Sequence, residues 1–257
     1  MRETKAPKLA PQYAPTGFCR CPVPQGEAWV STDGAKPRTT WGISSSARPD
    51  APVLGGWLGN SLGAGLAEFR MSKADYYETH AAEFVAATVA ADMSALRHRF
   101  LSALPPSQTG SVRILDAGSG SGRDARAFRE AGFAVSAFDA SAAMVTATRA
   151  YAGVPTRRMR FEDFDWEHRF EGIWACASLL HVARQDLLPA IARLARHLVP
   201  GGVLYLSFKS GTQTRIKDGR RFTDITSDDL GPPDIWETRD CRPDSGAEIW
   251  VNALVKC

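Results

Sequence analysis

The sequence has no apolar run near the roughly 18 residues that span a membrane, and its opening, MRETKAPKLAPQYAPTG, contains no hydrophobic stretch. Neither a membrane span nor a secretory signal is therefore expected. Cysteine is scarce, five in 257 residues, which points to a reducing, cytoplasmic setting rather than a disulfide framework. Cys19 and Cys21 lie close together, but no His or Cys follows at ligand spacing, so no metal centre is expected. A large excess of one charge is missing too. The net charge is +3, and all of it falls in residues 1–70, with eight Lys/Arg against five Asp/Glu. Residues 71–257 carry 23 of each sign, so the body lacks the basic excess of a dedicated nucleic-acid binder.

Residues 1–70 also lack sustained periodicity, and they hold eight of the 16 prolines and nine of the 22 glycines. Proline and glycine interrupt helix and sheet alike, so a disordered extension is expected there. At Met71 the character changes. The segment 71–106 is rich in alanine, with Tyr77, Ala81, Phe84, Val85 and Thr88 at helical spacing. Ser72 or Asp75 would cap that helix and Pro105-Pro106 would stop it. The expectation is that the folded domain is 71–257, with Met71 even a candidate translation start.

From residue 111 the chain alternates strand-like and helix-like segments. VRILDAG, FAVSAFDA, a short strand in TRRMRFEDFD, EGIWACASLLHV and VLYLSFK are the strands; GRDARAFREAG, SAAMVTATRAYAG and RQDLLPAIARLARHLVPGG are the helices, the last closed by Pro-Gly-Gly. DIWETRDCRP and AEIWVNALVKC, joined by DSG, read as a terminal hairpin. Such βαβα order implies a doubly wound α/β fold with a mostly parallel sheet and helices on both faces. Ligands in such folds sit at the carboxyl ends of the strands.

The stretch ILDAGSGSGRD places Gly118, Gly120 and Gly122 in a turn between strand and helix. The dinucleotide fingerprint needs a third small residue where this chain has Arg123. Asp139 ends the second strand, 21 residues after Gly118. An acid there accepts hydrogen bonds from ribose hydroxyls, of NAD or of any adenosine held in the same place.

These residues resemble motif I and motif II of class I S-adenosylmethionine-dependent methyltransferases. RFEDFD, GIWACASLLHV and LVPGGVLYLSFK are similar to that family's later motifs, in order and spacing, over about residues 71–257. Within the family the chain is similar to the small methyltransferases of the type 11 or tellurite-resistance-like group. The resemblance implies a Rossmann-like seven-stranded sheet with a C-terminal antiparallel hairpin and S-adenosylmethionine as cofactor. It implies that Gly118, Gly120 and Gly122 let the backbone approach the cofactor's amino-acid part, and that Asp116 orders the turn and faces its ammonium. Asp139 would hold the ribose, and Ala140 and Met144 would line the adenine. The family's usual acid-plus-small pair after strand three is replaced by Arg160-Phe161, so Phe161 would pack on the ring with Glu162 near its amino group. Ser178 would lie beside the methionine part, with Tyr76 or Tyr77 of the first helix closing over it, Tyr77 being the candidate.

The sulfonium methyl is already activated, so positioning supplies much of the rate. His181, ending strand four, is the candidate base for a protonated acceptor. The polar segment 208–230 suits a lid, with Lys209, Arg220 and Asp224 as acceptor contacts. The segment TSDDLGPP leaves room for at most one helical turn before the terminal hairpin. A small-molecule acceptor is expected, since no Asn/Asp-Pro-Pro-aromatic signature follows strand four. Two alternatives stand beside this: an NAD(P)-dependent oxidoreductase, against which Arg123 and the lack of a Tyr-x-x-x-Lys pair argue, and a non-catalytic S-adenosylmethionine-binding protein.

Overall fold

A computed structural model describes residues 73–107, 110–230, 234–240 and 248–257, with side chains from Tyr76 onward. The expectations for residues 1–70, for a Ser72 or Asp75 cap and for the DSG turn lie outside these described residues. Alternating polarity builds the centre of the fold. β1 (Arg113–Ala117) sends Ile114 to one face of the sheet and Leu115 and Ala117 to the other, as the two-residue period of a strand requires. β4 (Phe170–Ala175) repeats this with Trp174 against Ile173 and Ala175. β5 (Leu198–Lys209) does so with Val203 and Tyr205 against Leu204 and Leu206.

With β2 (Ala134–Asp139), β3 (Thr156–Arg158), β8 (Asp234–Arg239) and β9 (Ile249–Lys256) they form one seven-stranded sheet, ordered β3-β2-β1-β4-β5-β9-β8. β9 alone runs against the rest, pairing antiparallel with both β5 and β8. Both faces carry helices. Phe100 of α3 (Ser94–Ala103), Ala125 and Phe128 of α4 (Arg123–Glu130) and Ala152 of α5 (Ala142–Ala152) cover the Trp174 face. Leu187, Ala190, Ile191 and Leu194 of α6 (Arg184–Ala195) cover the other. The expected doubly wound sheet is present. Ser141 caps α5 by accepting from the Met144 N–H.

Two expectations are corrected. The segment from Met71 is not one helix but three, α1 (Lys73–Thr79), α2 (Ala81–Thr88) and α3. His80 leaves helical geometry and turns its Nδ1 onto the Tyr76 carbonyl, and Asp92 draws the Ser94 N–H to its own carboxylate just before α3. α3 does stop at the Pro105-Pro106 pair, because the residue before a proline is driven extended, as Leu104 is. Pro-Gly-Gly does not close α6; it lies inside β5, beside the register shift where β5 meets Phe170 and Gly172. There the Gly201 N–H reaches the Cys257 carbonyl, and the Cys257 N–H reaches Gly202.

The segment after β5 folds back as a separate two-stranded sheet, β6 (Thr214–Lys217) and β7 (Arg220–Thr223). Its loop is Asp218-Gly219, both with positive φ (52° and 72°), the turn whose twist matches paired strands. A single 3-10 turn, Ser227–Leu230, precedes β8. No helix among the described residues is long and apolar enough to cross a membrane.

Candidate active site

The chain order puts β2 on one side of β1 and β4 on the other, so a crevice opens beyond their carboxyl ends. A cavity of about 210 Å³ lies there, lined by Gly118 and Gly120 after β1, Asp139–Ser141 after β2, Met159–Glu162 after β3 and Ala177, Ser178, His181 and Val182 after β4. Phe138 of β2, Tyr77 of α1, Phe84 of α2 and Met144 of α5 complete it.

The glycine turn is held from below. The N–H groups of Gly118 and Ser119 both donate to the Phe138 carbonyl, and Thr148 of α5 bonds the Ser119 hydroxyl and the Gly120 carbonyl. Gly118 has φ +80°, and a Cβ there would stand 2.4 Å from the Ser178 Cβ. Only glycine fits that conformation and that gap. Ser178 is seated by Ala177, whose φ of 51° is unusual for a residue with a side chain; the Ala177 N–H donates to Ser207. The Ser178 hydroxyl in turn donates to the Ala117 carbonyl at 2.6 Å.

Asp139 turns its carboxylate back on the loop, Oδ2 accepting from the Gly120 N–H and Oδ1 from the Ser141 N–H, each at 3.0 Å. Glu78 of α1 accepts from the N–H groups of Ala142 and Ala143 at the start of α5. A carboxylate is favoured at a helix N-terminus, and this one fastens α1 beside the cavity. Nothing in the sequence pattern signalled it.

His181 engages both ring nitrogens. Its Nδ1 lies 2.6 Å from the Arg221 carbonyl oxygen and its Nε2 lies 2.9 Å from the Tyr77 hydroxyl. A carbonyl only accepts, so the ring proton is on Nδ1, and the Nε2 lone pair accepts from Tyr77. Burial raises the Tyr77 pKa above that of an ordinary tyrosine, opposed by a hydrogen bond and the charge of Arg220; the charge of Asp139 adds to the rise.

Ten of the expected residues thus share one cavity: Tyr77, Gly118, Gly120, Asp139, Ala140, Met144, Phe161, Glu162, Ser178 and His181. Five expected ligand contacts fall elsewhere. Asp116 is buried, and its Oδ2 accepts from the Ala125 N–H of α4 instead of facing the cavity. Burial, then the neighbouring Asp124 charge, pushes its pKa well above the usual carboxylate range. Gly122 sits where a Cβ would come 2.9 Å from the Thr148 Cα, so it serves the close approach of α4 and α5. Lys209 pairs with Glu248 at 2.5 Å, and Asp224 is buried and pairs with Arg215 at 2.8 Å. Both line a separate cavity beside the base of the hairpin. The Arg220 guanidinium stands 3.8 Å over the Tyr76 ring centre and pairs with Asp218 at 3.2 Å, next to Tyr77 but outside the cavity lining.

Arg123, which spoke against NAD in the sequence, folds back on Asp124 at 2.6 Å. Asp124 also accepts from Arg97 and from Trp174 Nε1. Burial alone would raise the Asp124 pKa, but the two guanidinium groups outweigh it and hold it low. Phe84, Met159 and Val182 line the cavity unforeseen. Phe84 had a signal, since it falls seven residues after Tyr77 at helical spacing in the sequence, although the two stand on separate helices, α1 and α2.

A doubly wound sheet with a glycine turn after β1 and an acid ending β2 is an arrangement in which nucleotide-like cofactors are held at the strands' carboxyl ends. Comparison with known proteins narrows it: residues 114–202 match a family described as a methyltransferase domain. No curated protein sequence matches the chain. Among solved structures, the chain is similar to the 1,6-didemethyltoxoflavin-N1-methyltransferase of Burkholderia thailandensis, solved with its substrate and S-adenosylhomocysteine. They share 24% identity over 71% of this chain and 90% of that one, with a TM-score of 0.50. It is also similar to the complex between the Haloferax volcanii Trm112 methyltransferase activator and a methyltransferase described as putative, at 16% identity over 72% and 97% of the two chains, with a TM-score of 0.54. At such identities the likeness is one of fold. Residues 114–202 thus carry the match to a methyltransferase domain, and the solved structures add a likeness of fold over 71% and 72% of the chain.

Proposed function

We propose that this enzyme transfers the methyl group of S-adenosylmethionine to a small-molecule acceptor, and that the cavity beyond β1, β2 and β4 holds both partners. The observation that carries the reading is the convergence of the glycine turn, Asp139, Ser178 and His181 on one cavity. The residues fit the cofactor. Gly118 and Gly120 leave backbone bare where a side chain would fill the space, Gly120 coming within 3.2 Å of the Phe84 ring by its would-be Cβ. Asp139 offers a carboxylate already aligned by two N–H groups, suited to paired ribose hydroxyls. Ala140, Met144 and Phe161 offer an apolar slot for adenine, with Glu162 at its rim. S-adenosylmethionine supplies the activated methyl; the chain binds, orients and excludes water.

On the acceptor side stand Tyr77, His181 and the β6–β7 hairpin, whose Arg220 favours an acceptor carrying negative charge. The neighbours support a small-molecule acceptor, since the Burkholderia enzyme holds 1,6-didemethyltoxoflavin. We place the whole activity in residues 71–257.

Calorimetry tests the reading. S-adenosylmethionine and S-adenosylhomocysteine should each bind one to one, to the full chain and to a chain lacking residues 1–70. Binding of NADH with neither sulfur compound would overturn it. Release of S-adenosylhomocysteine across a metabolite panel then names the acceptor.

A further inference from the structure

Four observations converge beside the cavity. Both nitrogens of His181 are engaged, so its ring meets an acceptor only through the group on Nε2, the Tyr77 hydroxyl. Tyr77 lines the cavity. The Arg220 guanidinium lies within 5.8 Å of the Tyr77 ring centre, and its buried Nε has no hydrogen-bond partner in the structure. The atom fixing the His181 tautomer, the Arg221 carbonyl oxygen, belongs to the β6–β7 hairpin and not to the turn after β4 that carries the histidine.

We propose that Tyr77 is the group that takes the acceptor's proton, passing its own to His181, and that the hairpin, through the Arg221 carbonyl and the Arg220 guanidinium, sets this pair for the task. This deepens the methyl-transfer reading and rests on it. The acceptor is then a protonated nucleophile, a phenol, enol or ammonium-type nitrogen, and not a thioether or an already bare lone pair.

The step balances. The acceptor's X–H proton moves to the Tyr77 oxygen as the Tyr77 proton moves to His181 Nε2. The electron pair left on X forms the bond to the methyl carbon, and the carbon–sulfur pair returns to sulfur. His181 ends as an imidazolium whose Nδ1–H still bonds the Arg221 carbonyl oxygen. Any negative charge passing through the Tyr77 oxygen faces the Arg220 cation. Arg220 from β7, Asp139 from the end of β2 and Tyr76 from α1 are the charged or titratable groups acting on Tyr77, with His181 from the turn after β4. Burial keeps Tyr77 a neutral phenol at rest, so it relays a proton without holding a standing charge. Arg220 and Arg221 are positioning residues, since they act through Tyr77 and His181.

The test uses 4-nitrophenol, whose ionised form is read directly from its visible absorbance. The full chain, saturated with S-adenosylhomocysteine, should bind it, and the bound dye should ionise at least one pH unit below the free dye. Tyr77→Phe and His181→Gln should each abolish that shift when read at S-adenosylhomocysteine concentrations that saturate each variant. Arg220→Gln should reduce the shift while the dye still binds. A purely structural Tyr77 would leave the shift in place. The relay is overturned if the dye does not bind, if it binds neutral, or if its ionisation is the same in the wild type and the Tyr77 and His181 variants. Failure of S-adenosylhomocysteine to bind at all would sink the methyl-transfer reading instead.

Discussion

Replacing Asp139 by alanine removes a carboxylate with two duties. On the ligand side it deletes the acceptor proposed above for the ribose hydroxyls. A hydrogen bond to a charged group contributes about 1.5–3 kcal/mol, and water recovers part of the loss at a half-buried site. The expected loss of cofactor affinity is about 1–3 kcal/mol, or roughly 5- to 140-fold in dissociation constant at about 1.4 kcal/mol per decade. On the protein side it frees the N–H groups of Gly120 and Ser141, each now bonded at 3.0 Å. Two such bonds near solvent contribute about 1–2 kcal/mol together, a fall of about 2–8 °C in Tm for a domain of this size. Calorimetry with S-adenosylhomocysteine reads the first effect and scanning calorimetry the second. Asp139→Asn separates them, since its single oxygen still accepts from one of the two N–H groups. A folded Asp139→Ala variant whose dissociation constant stays within twofold of wild type would refute the ribose assignment.

Three further outcomes follow from the packing. Gly118→Ala meets both a positive φ and a 2.4 Å contact with Ser178, so it should lower cofactor affinity at least tenfold, and a Gly118→Ala/Ser178→Gly double variant should recover part of it; equal affinities for single and double would contradict the steric account. Asp124→Ala leaves Arg97 and Arg123 facing each other in a part-buried site, so it should cost about 3–5 kcal/mol in urea unfolding, and a loss under 1 kcal/mol would rule the cluster out as a stabilising unit. For Asp116 the folded pKa is raised, so its stabilising share is full below the unfolded carboxylate pKa near 3.9 and is lost as pH climbs toward the folded value. Asp116→Asn keeps an acceptor for Ala125 and should therefore gain on wild type between pH 4 and pH 7; a difference that does not change over that range would reject the buried-proton picture.

The order of strands and the place of the cavity were legible because they rest on short-range signals. β1 and β4 are apolar runs, Ser141 precedes a helix, and the glycines mark a turn that needs positive φ. Asp139 could be singled out because distance along the chain, from Gly118 to the next strand end, is fixed by the βαβ unit itself. What escaped the sequence is what depends on contacts far apart in the chain. Glu78 reaches the start of α5 across 64 residues, and His181 meets Tyr77 across 104. Asp116 was read as facing a ligand, yet strand alternation and the N–H of Ala125 turn it inward. Lys209 carried the right chemistry for an anion and Asp224 for a polar contact, but Glu248 and Arg215 each neutralise one of them first. The three-helix course of residues 73–103 hid behind strong alanine propensity, which side-chain hydrogen bonds at His80 and Asp92 override locally.

Among the described residues, the chain flanking the β6–β7 hairpin meets the end of β5 through the isolated Ser210–Ile225 bridge and the Ile225 N–H to the Lys209 carbonyl, and no strand of the hairpin joins the main sheet. A few fasteners, such as Thr223 to the Val182 carbonyl and Arg184 to the Asp224 carbonyl, hold it down. Its length and side chains therefore answer to no register in the main sheet. Changes at its Asp218-Gly219 tip would leave the pairing of the seven strands untouched, a freedom that a loop woven into that sheet would not have.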